Sequence, residues 1–176
     1  MRNIELKARC EDLEGAASIA EAAGAKRVWT RRQTDTYFRV PSGRLKLRVE
    51  EPGGAELVAY DRADTPVARE SRYEITPVED PQATLASLEA RHGIAARVEK
   101  TRTLYLLANV RIHLDEVADL GTFIEFEAVL DEGESEAESR ALLDRLRAAF
   151  GIGPGDILAG SYADMVAGAS GLVLGT

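Results

Sequence analysis

Several stretches of this chain place a charged side chain at every second position. The clearest are Glu5-Leu6-Lys7-Ala8-Arg9, Arg44-Leu45-Lys46-Leu47-Arg48, Arg111-Ile112-His113-Leu114-Asp115 and Glu125-Phe126-Glu127. A repeat of two is the period of a β-strand, so each stretch presents a charged face and an apolar or small-residue face. The signs are partly sorted, with Lys and Arg alone on one strand and Glu alone on another. If these faces point at one another, they enclose a cavity lined by cations and carboxylates, and such a cavity suits a metal-bound polyphosphate. Arginine grips phosphate oxygens bidentately and lysine acts as a point charge. Mg²⁺ or Mn²⁺ joins carboxylate and phosphate oxygens in octahedral coordination. Glu125 and Glu127 point the same way and are spaced to share a metal, with Glu5 and Asp115 completing the acidic side. Lys7, Arg9, Arg44, Lys46, Arg48, Lys100, Arg102 and Arg111 form the cationic side.

A plainer arrangement competes with this one. An antiparallel sheet commonly keeps one wet face, and charges there need no function. Two features count against it. Wet strand faces favour Thr and Tyr over Lys and Glu. Like charges repeated along one face, as in Arg44, Lys46 and Arg48, repel unless a counter-ion lies among them.

The elements that must position these residues follow from the pattern. A first strand over residues 3–10 leads to a helix over 11–23, stopped by Gly24. Residues 26–40 are β-rich but less regular. Strands follow at 45–50 and 56–62, joined by the turn Pro52-Gly53-Gly54. A loop at Asp64-Thr65-Pro66 precedes a strand at 70–76. Asp80-Pro81 is a helix start. Strands are expected at 98–107, 111–117 and 122–130. Ser135-Glu136-Ala137-Glu138 is a capping box opening a helix that stops at Gly151, and a short helix is expected near 161–167. Eight strands and three main helices make an α+β fold, in which short turns favour an antiparallel sheet able to close into a barrel. Residues 1–167 form one domain and 168–176 a flexible tail.

Composition narrows the class. A chain of 176 residues can bury a core, and its net charge of −8 argues against nucleic acid as a partner. The single cysteine, Cys10, excludes an intramolecular disulfide and a multi-cysteine metal site, and it reads as a buried, reduced thiol. No apolar run opens the chain and none reaches the ~20 residues of a membrane span. The expected location is cytoplasmic, with no membrane partner, as a monomer or a homodimer.

Through these residues the chain resembles the CYTH family, the triphosphate tunnel metalloenzymes. The matching segments are Asn3-Ile4-Glu5-Leu6-Lys7, Gln33-Thr34-Asp35-Thr36-Tyr37-Phe38, Leu45-Lys46-Leu47-Arg48, Tyr60-Asp61-Arg62, Lys100-Thr101-Arg102, Arg111 to Asp115, Phe123 to Glu127, and Ser161 to Met165. Their order and spacing carry the resemblance more than any one of them. It implies an eight-stranded antiparallel barrel around a charged tunnel, with helices outside. It implies Glu5, Asp115, Glu125 and Glu127 as metal-side carboxylates for Mg²⁺ or Mn²⁺. It implies Lys46, Arg48, Arg62, Lys100, Arg102 and Arg111 as ligands of a small-molecule triphosphate, and Lys7 with Glu5 as the catalytic pair. The implied reaction is that of a class IV adenylyl cyclase, which converts ATP to cyclic AMP and pyrophosphate. The alternatives are an inorganic tripolyphosphatase, a thiamine triphosphatase, or a non-catalytic nucleotide or polyphosphate binder. One departure stands out: Asn3 occupies the place of the family's first acid. Of the remaining residues, His113 reads as tunnel wall with a catalytic base as the alternative, Trp29 and Phe38 as core with base stacking as the alternative, and Tyr162 as packing. Glu70, Arg72 and Glu74 read as a self-paired outer face.

Overall fold

The computed structural model describes residues 2–62 and 67–169; the loop expected at Asp64-Thr65-Pro66 and the end of the chain from 170 lie outside the described residues. The strands are β1 (Arg2–Arg9), β2 (Lys26–Phe38), β3 (Arg44–Glu51), β4 (Ala55–Arg62), β5 (Arg69–Val78), β6 (Ile94–Leu107), β7 (Val110–Val117) and β8 (Gly121–Val129). The helices are α1 (Leu13–Ala22), α2 (Pro81–His92), α3 (Glu136–Ala149) and α4 (Tyr162–Ala169). The strands close a barrel in the order β1-β5-β4-β3-β2-β6-β7-β8. Every pairing is antiparallel, and β8 returns to β1. The expected eight-stranded antiparallel barrel with helices outside is the observed architecture. No helix among the described residues is long and apolar enough to cross a membrane.

Local chemistry sets the boundaries. Asp12 caps α1 by accepting from the Gly15 amide at 2.8 Å, so the helix begins at Leu13 and not at residue 11. Asp80 accepts from the Gln82 and Ala83 amides, with Pro81 at the first helical position. Ser135 accepts from the Glu138 amide at 3.3 Å. Strand β6 begins at Ile94, four residues before the expected start. The apolar run Ile94-Ala95-Ala96 lacks alternation, but β2 is long enough to pair with it through Tyr37–Ala96 and Phe38–Ile94. Helix α4 runs through Gly168 to Ala169, past the domain boundary expected at residue 167.

The core lies between the barrel's outer face and the helices. Ile4, Leu6 and Ala8 of β1, Ile112 and Leu114 of β7, and Ile124 and Phe126 of β8 are buried against Ala16 and Ala20 of α1 and Leu143 and Leu146 of α3. These residues are the alternate partners of the charged positions, so the charged faces of the same strands turn inward. A second apolar cluster joins Tyr37, Val98, Val117 and Phe123 to Tyr162 and Ala163 of α4. These side chains come from the inner faces of four strands, and α4 closes that end of the barrel. On the outer face of β5, Glu70 and Arg72 pair at 3.0 Å with Arg72 largely exposed, as the self-paired reading expected. Phe126 is fully buried and its ring lies 5.2 Å from that of Phe150. Phe126→Ala is expected to lower the unfolding free energy by about 3–5 kcal/mol, measured by urea denaturation.

Candidate active site in the barrel interior

The inward faces enclose a cavity of about 360 Å³ with α4 at its closed end, within the usual range for a small-molecule site. Two buried aspartates organise its floor. Asp35 of β2 is 1% exposed. It accepts from Lys46 Nζ at 2.9 Å and bidentately from Arg48, through Nε at 2.8 Å and Nη2 at 2.9 Å. Lys100 Nζ stands 3.9 Å away. Asp115 of β7 is 0% exposed. It accepts from Arg102 Nε and Nη2, both at 2.6 Å, and from the Tyr162 hydroxyl at 2.8 Å. Lys100 Nζ lies 3.7 Å from it. A third carboxylate, Glu125 of β8, accepts from Arg102 Nη2 at 2.8 Å and has Lys7 Nζ at 3.3 Å. Five cations and three carboxylates thus share the closed end. Lys7 and Lys100 also lie over the Tyr162 ring, at 3.8 and 5.1 Å from its centroid.

This crowding resets the titrations. Burial alone would raise Asp35, Asp115 and Glu125, but their cations outweigh it and hold all three below the usual carboxylate range. Burial pushes Lys46 down to about 8 and Lys100 to about 7, with Arg48 beside the first and Arg102 beside the second adding to the effect. Burial and Arg102 also lower His113, so the imidazole is neutral near neutrality.

One step along the strands towards the open end, carboxylates dominate. Glu5 of β1 is the direct cross-strand partner of Glu127 of β8, and Lys7 is the partner of Glu125. Like charges placed directly opposite destabilise a sheet unless a cation lies between them. His113, Glu125 and Glu127 bring one ligand atom each within 4.8 Å of one another. His113 Nδ1 and Asn3 Oδ1 are buried without a hydrogen-bond partner. Two opposed carboxylates, a neighbouring imidazole and an unpaired amide oxygen fit a divalent cation.

The expected residues are therefore sorted by register. Lys7, Lys46, Arg48, Lys100 and Arg102 line the cavity together, and Glu5, Glu125 and Glu127 line it with Arg111, which stands 3.6 Å from Glu127. Asp115, expected with the metal carboxylates, accepts from Arg102 and Tyr162, and Arg102 Nη2 also bonds Glu125. Arg9 is exposed and turns to the Leu120 carbonyl. Arg44 leaves the cationic wall to pair with Asp164 of α4 at 3.3 Å. Arg62 ends β4, and its side chain lies outside the described residues. Trp29, expected in the core, lines the cavity, whereas Phe38 is buried. Gln33 lines the cavity and Asp35 accepts from two of its cations, and the charge pattern singled out neither. Their signal was the inward alternation of Gln33, Asp35 and Tyr37.

With this geometry in place, comparison with known proteins is direct. The CYTH domain family matches residues 1–162, and the chain belongs to that family. The PH1012 protein from Pyrococcus horikoshii superposes with a TM-score of 0.82 at 25% identity, covering 92% of this chain and 98% of its own. A proposed adenylate cyclase from Vibrio parahaemolyticus gives 0.78 at 20% identity, covering 94% and 97%. A proposed adenylyl cyclase from Hippeastrum, described as revealing a dominant triphosphatase activity, gives 0.64 at 15% identity, covering 98% and 97%. No curated protein matches.

Removing one buried charge tests the floor. Asp35→Asn leaves Lys46, Arg48 and Lys100 facing one another without their shared counter-charge. It is expected to cost about 3–5 kcal/mol of stability, read from denaturation of the ligand-free protein.

Proposed function

We propose that the protein is a metal-dependent enzyme acting on a triphosphate compound, in the manner of a class IV adenylyl cyclase. One observation carries this reading: a cation-rich closed end lies next to an opposed carboxylate pair on its open side. A triphosphate enters phosphates first and is held by Lys7, Lys46, Arg48, Lys100 and Arg102, with Arg111 nearer the mouth. Glu5 and Glu127 hold Mg²⁺ or Mn²⁺, with His113 and Glu125 beside them. When bound, the ion neutralises phosphate charge and fixes the chain of phosphates beside the carboxylates.

The order of these groups bears on the reaction. Glu5 lies one alternate position outward from Lys7, so the acidic pair stands beside the phosphate nearest the organic group. In the cyclase reaction the ribose 3′-oxygen attacks that phosphorus, its bond to the bridging oxygen breaks, and pyrophosphate leaves. The cations of the floor stabilise the departing charge. Lys7, lodged between Glu125 and Tyr162, faces that leaving group. A second reading rests on Gln33, whose Oε1 is buried without a hydrogen-bond partner. Phosphate oxygens cannot satisfy an acceptor, but a water can. A water held there near Lys100, its cross-strand partner, favours attack on the terminal phosphorus, as in a triphosphate hydrolase.

Two measurements test the proposal. ATP, tripolyphosphate and thiamine triphosphate are supplied separately with Mg²⁺ and with Mn²⁺, and cyclic AMP is scored against released phosphate. Cyclic AMP is expected from ATP; phosphate without cyclic AMP sinks the cyclase reading, and neither product with retained binding makes the protein a binder. Glu127→Gln is expected to abolish turnover while leaving the fold intact by circular dichroism. The pH dependence of tripolyphosphate affinity is the second measurement. Lys46 and Lys100 lose their protons as pH rises through about 8 and about 7, and a neutral amine no longer attracts phosphate. Affinity is therefore expected to fall from neutral towards alkaline pH, and Lys100→Met to flatten the lower part of that fall in calorimetric titrations.

A further inference from the structure

The cavity changes character at its open end. Trp29 of β2 and Leu104 of β6 are cross-strand partners and both line it. Trp29 and Leu104 belong to neither packed apolar cluster, and Trp29 is only half-buried. Apolar side chains facing a charged cavity are out of place as core and suited to a ligand's apolar part.

The Trp29 ring is held as a platform. The Arg31 guanidinium lies over it, 4.7 Å from the ring centroid. Glu50 accepts from Arg31, and its other oxygen accepts from Gln33. The stacked cation is thus fixed in place. Leu104 lies one alternate position beyond Arg102 on β6, about 7 Å along the strand. A group joined to a phosphate held at Arg102 therefore arrives at Leu104 and Trp29.

We propose that Trp29 and Leu104 form a subsite at the tunnel mouth for the uncharged planar ring of a nucleoside triphosphate. This rests on the triphosphate reading above and adds the specificity that reading leaves open. Stacking on an aromatic ring suits any flat base, because every base has a π-face. A guanidinium on the platform disfavours a cationic ring in the same place. Inorganic tripolyphosphate has nothing to put there.

The test separates the ring from the phosphates. Trp29 is the chain's single tryptophan, so its fluorescence reports the subsite without a label. ATP is expected to change that fluorescence and tripolyphosphate to leave it nearly unchanged. In calorimetry, with and without Mg²⁺, Trp29→Ala is expected to weaken ATP binding about tenfold while tripolyphosphate binding stays within about twofold of the wild type. Trp29→Phe is expected to keep most of the ATP affinity. Retained tripolyphosphate binding shows that the variant is folded. Equal loss for both ligands, no loss for ATP, or a wild type that binds tripolyphosphate but not ATP overturns the proposal and leaves the triphosphate reading standing. A larger loss for thiamine triphosphate than for ATP overturns the choice of an uncharged ring. A wild type that binds no triphosphate overturns both.

Discussion

Everything in the barrel depends on two carboxylates that no solvent reaches. Asp35 and Asp115 each take a bidentate arginine and stand near Lys100, and between them they hold four of the five cations at the closed end. Without them Lys46, Arg48, Lys100 and Arg102 would share one enclosed space in mutual repulsion. A buried ion pair seldom adds net stability, because desolvation offsets the attraction. Its use here is to fix positions. Arg48 and Arg102 are each oriented by a bidentate carboxylate, and both line the cavity.

The arrangement divides labour between the two faces of one sheet. Stability comes from the outer face, where Ile4, Leu6, Ile112, Ile124 and Phe126 pack under α1 and α3. The inner face carries charge that an ordinary core would exclude, and it can do so because closure removes every strand edge and shields the ion pairs. Helix α4 joins the two roles. Its Tyr162 lies 5.0 Å from Phe123, ring to ring, while its hydroxyl satisfies Asp115. Asp164 caps the same helix through Ser161 and reaches Arg44 of β3. The end of the tunnel is closed by the same side chains that complete its electrostatics.

The sequence carried much of this, and what it lacked has a physical reason. Alternation on β1, β3, β7 and β8 was clean because the outer face of each is apolar, so strand type, length and facing were legible. On β2 the outward residues Arg32 and Thr34 are polar as well. With polar side chains on both faces, period two no longer tells inside from outside, so the charge pattern does not single out Asp35, and Trp29 reads as core. The surroundings of Asp115 were hidden for another reason. A carboxylate's role depends on what stands across from it, and the register of one strand against its neighbour is absent from local pattern. Asp115 meets Arg102 across β6 and β7, whereas Glu127 meets Glu5 across β1 and β8. The same residue class is thereby held by a bidentate arginine in one place and set opposite another carboxylate in the other.

Asn3 then acquires a definite physical meaning. It continues the inward row of β1 beyond Glu5, pairs with Ser71 of the adjacent strand β5, and is 2% exposed with Oδ1 lacking a hydrogen-bond partner. An acid at this position would add a further buried charge beside Glu5 and Glu127, which already oppose each other. The amide keeps an oxygen aimed at the same space and removes the repulsion. The barrel can therefore close with less electrostatic cost when no cation is bound. The remaining carboxylates are not bare: Glu125 has Lys7 and Arg102 beside it, and Glu127 has Arg111 at 3.6 Å.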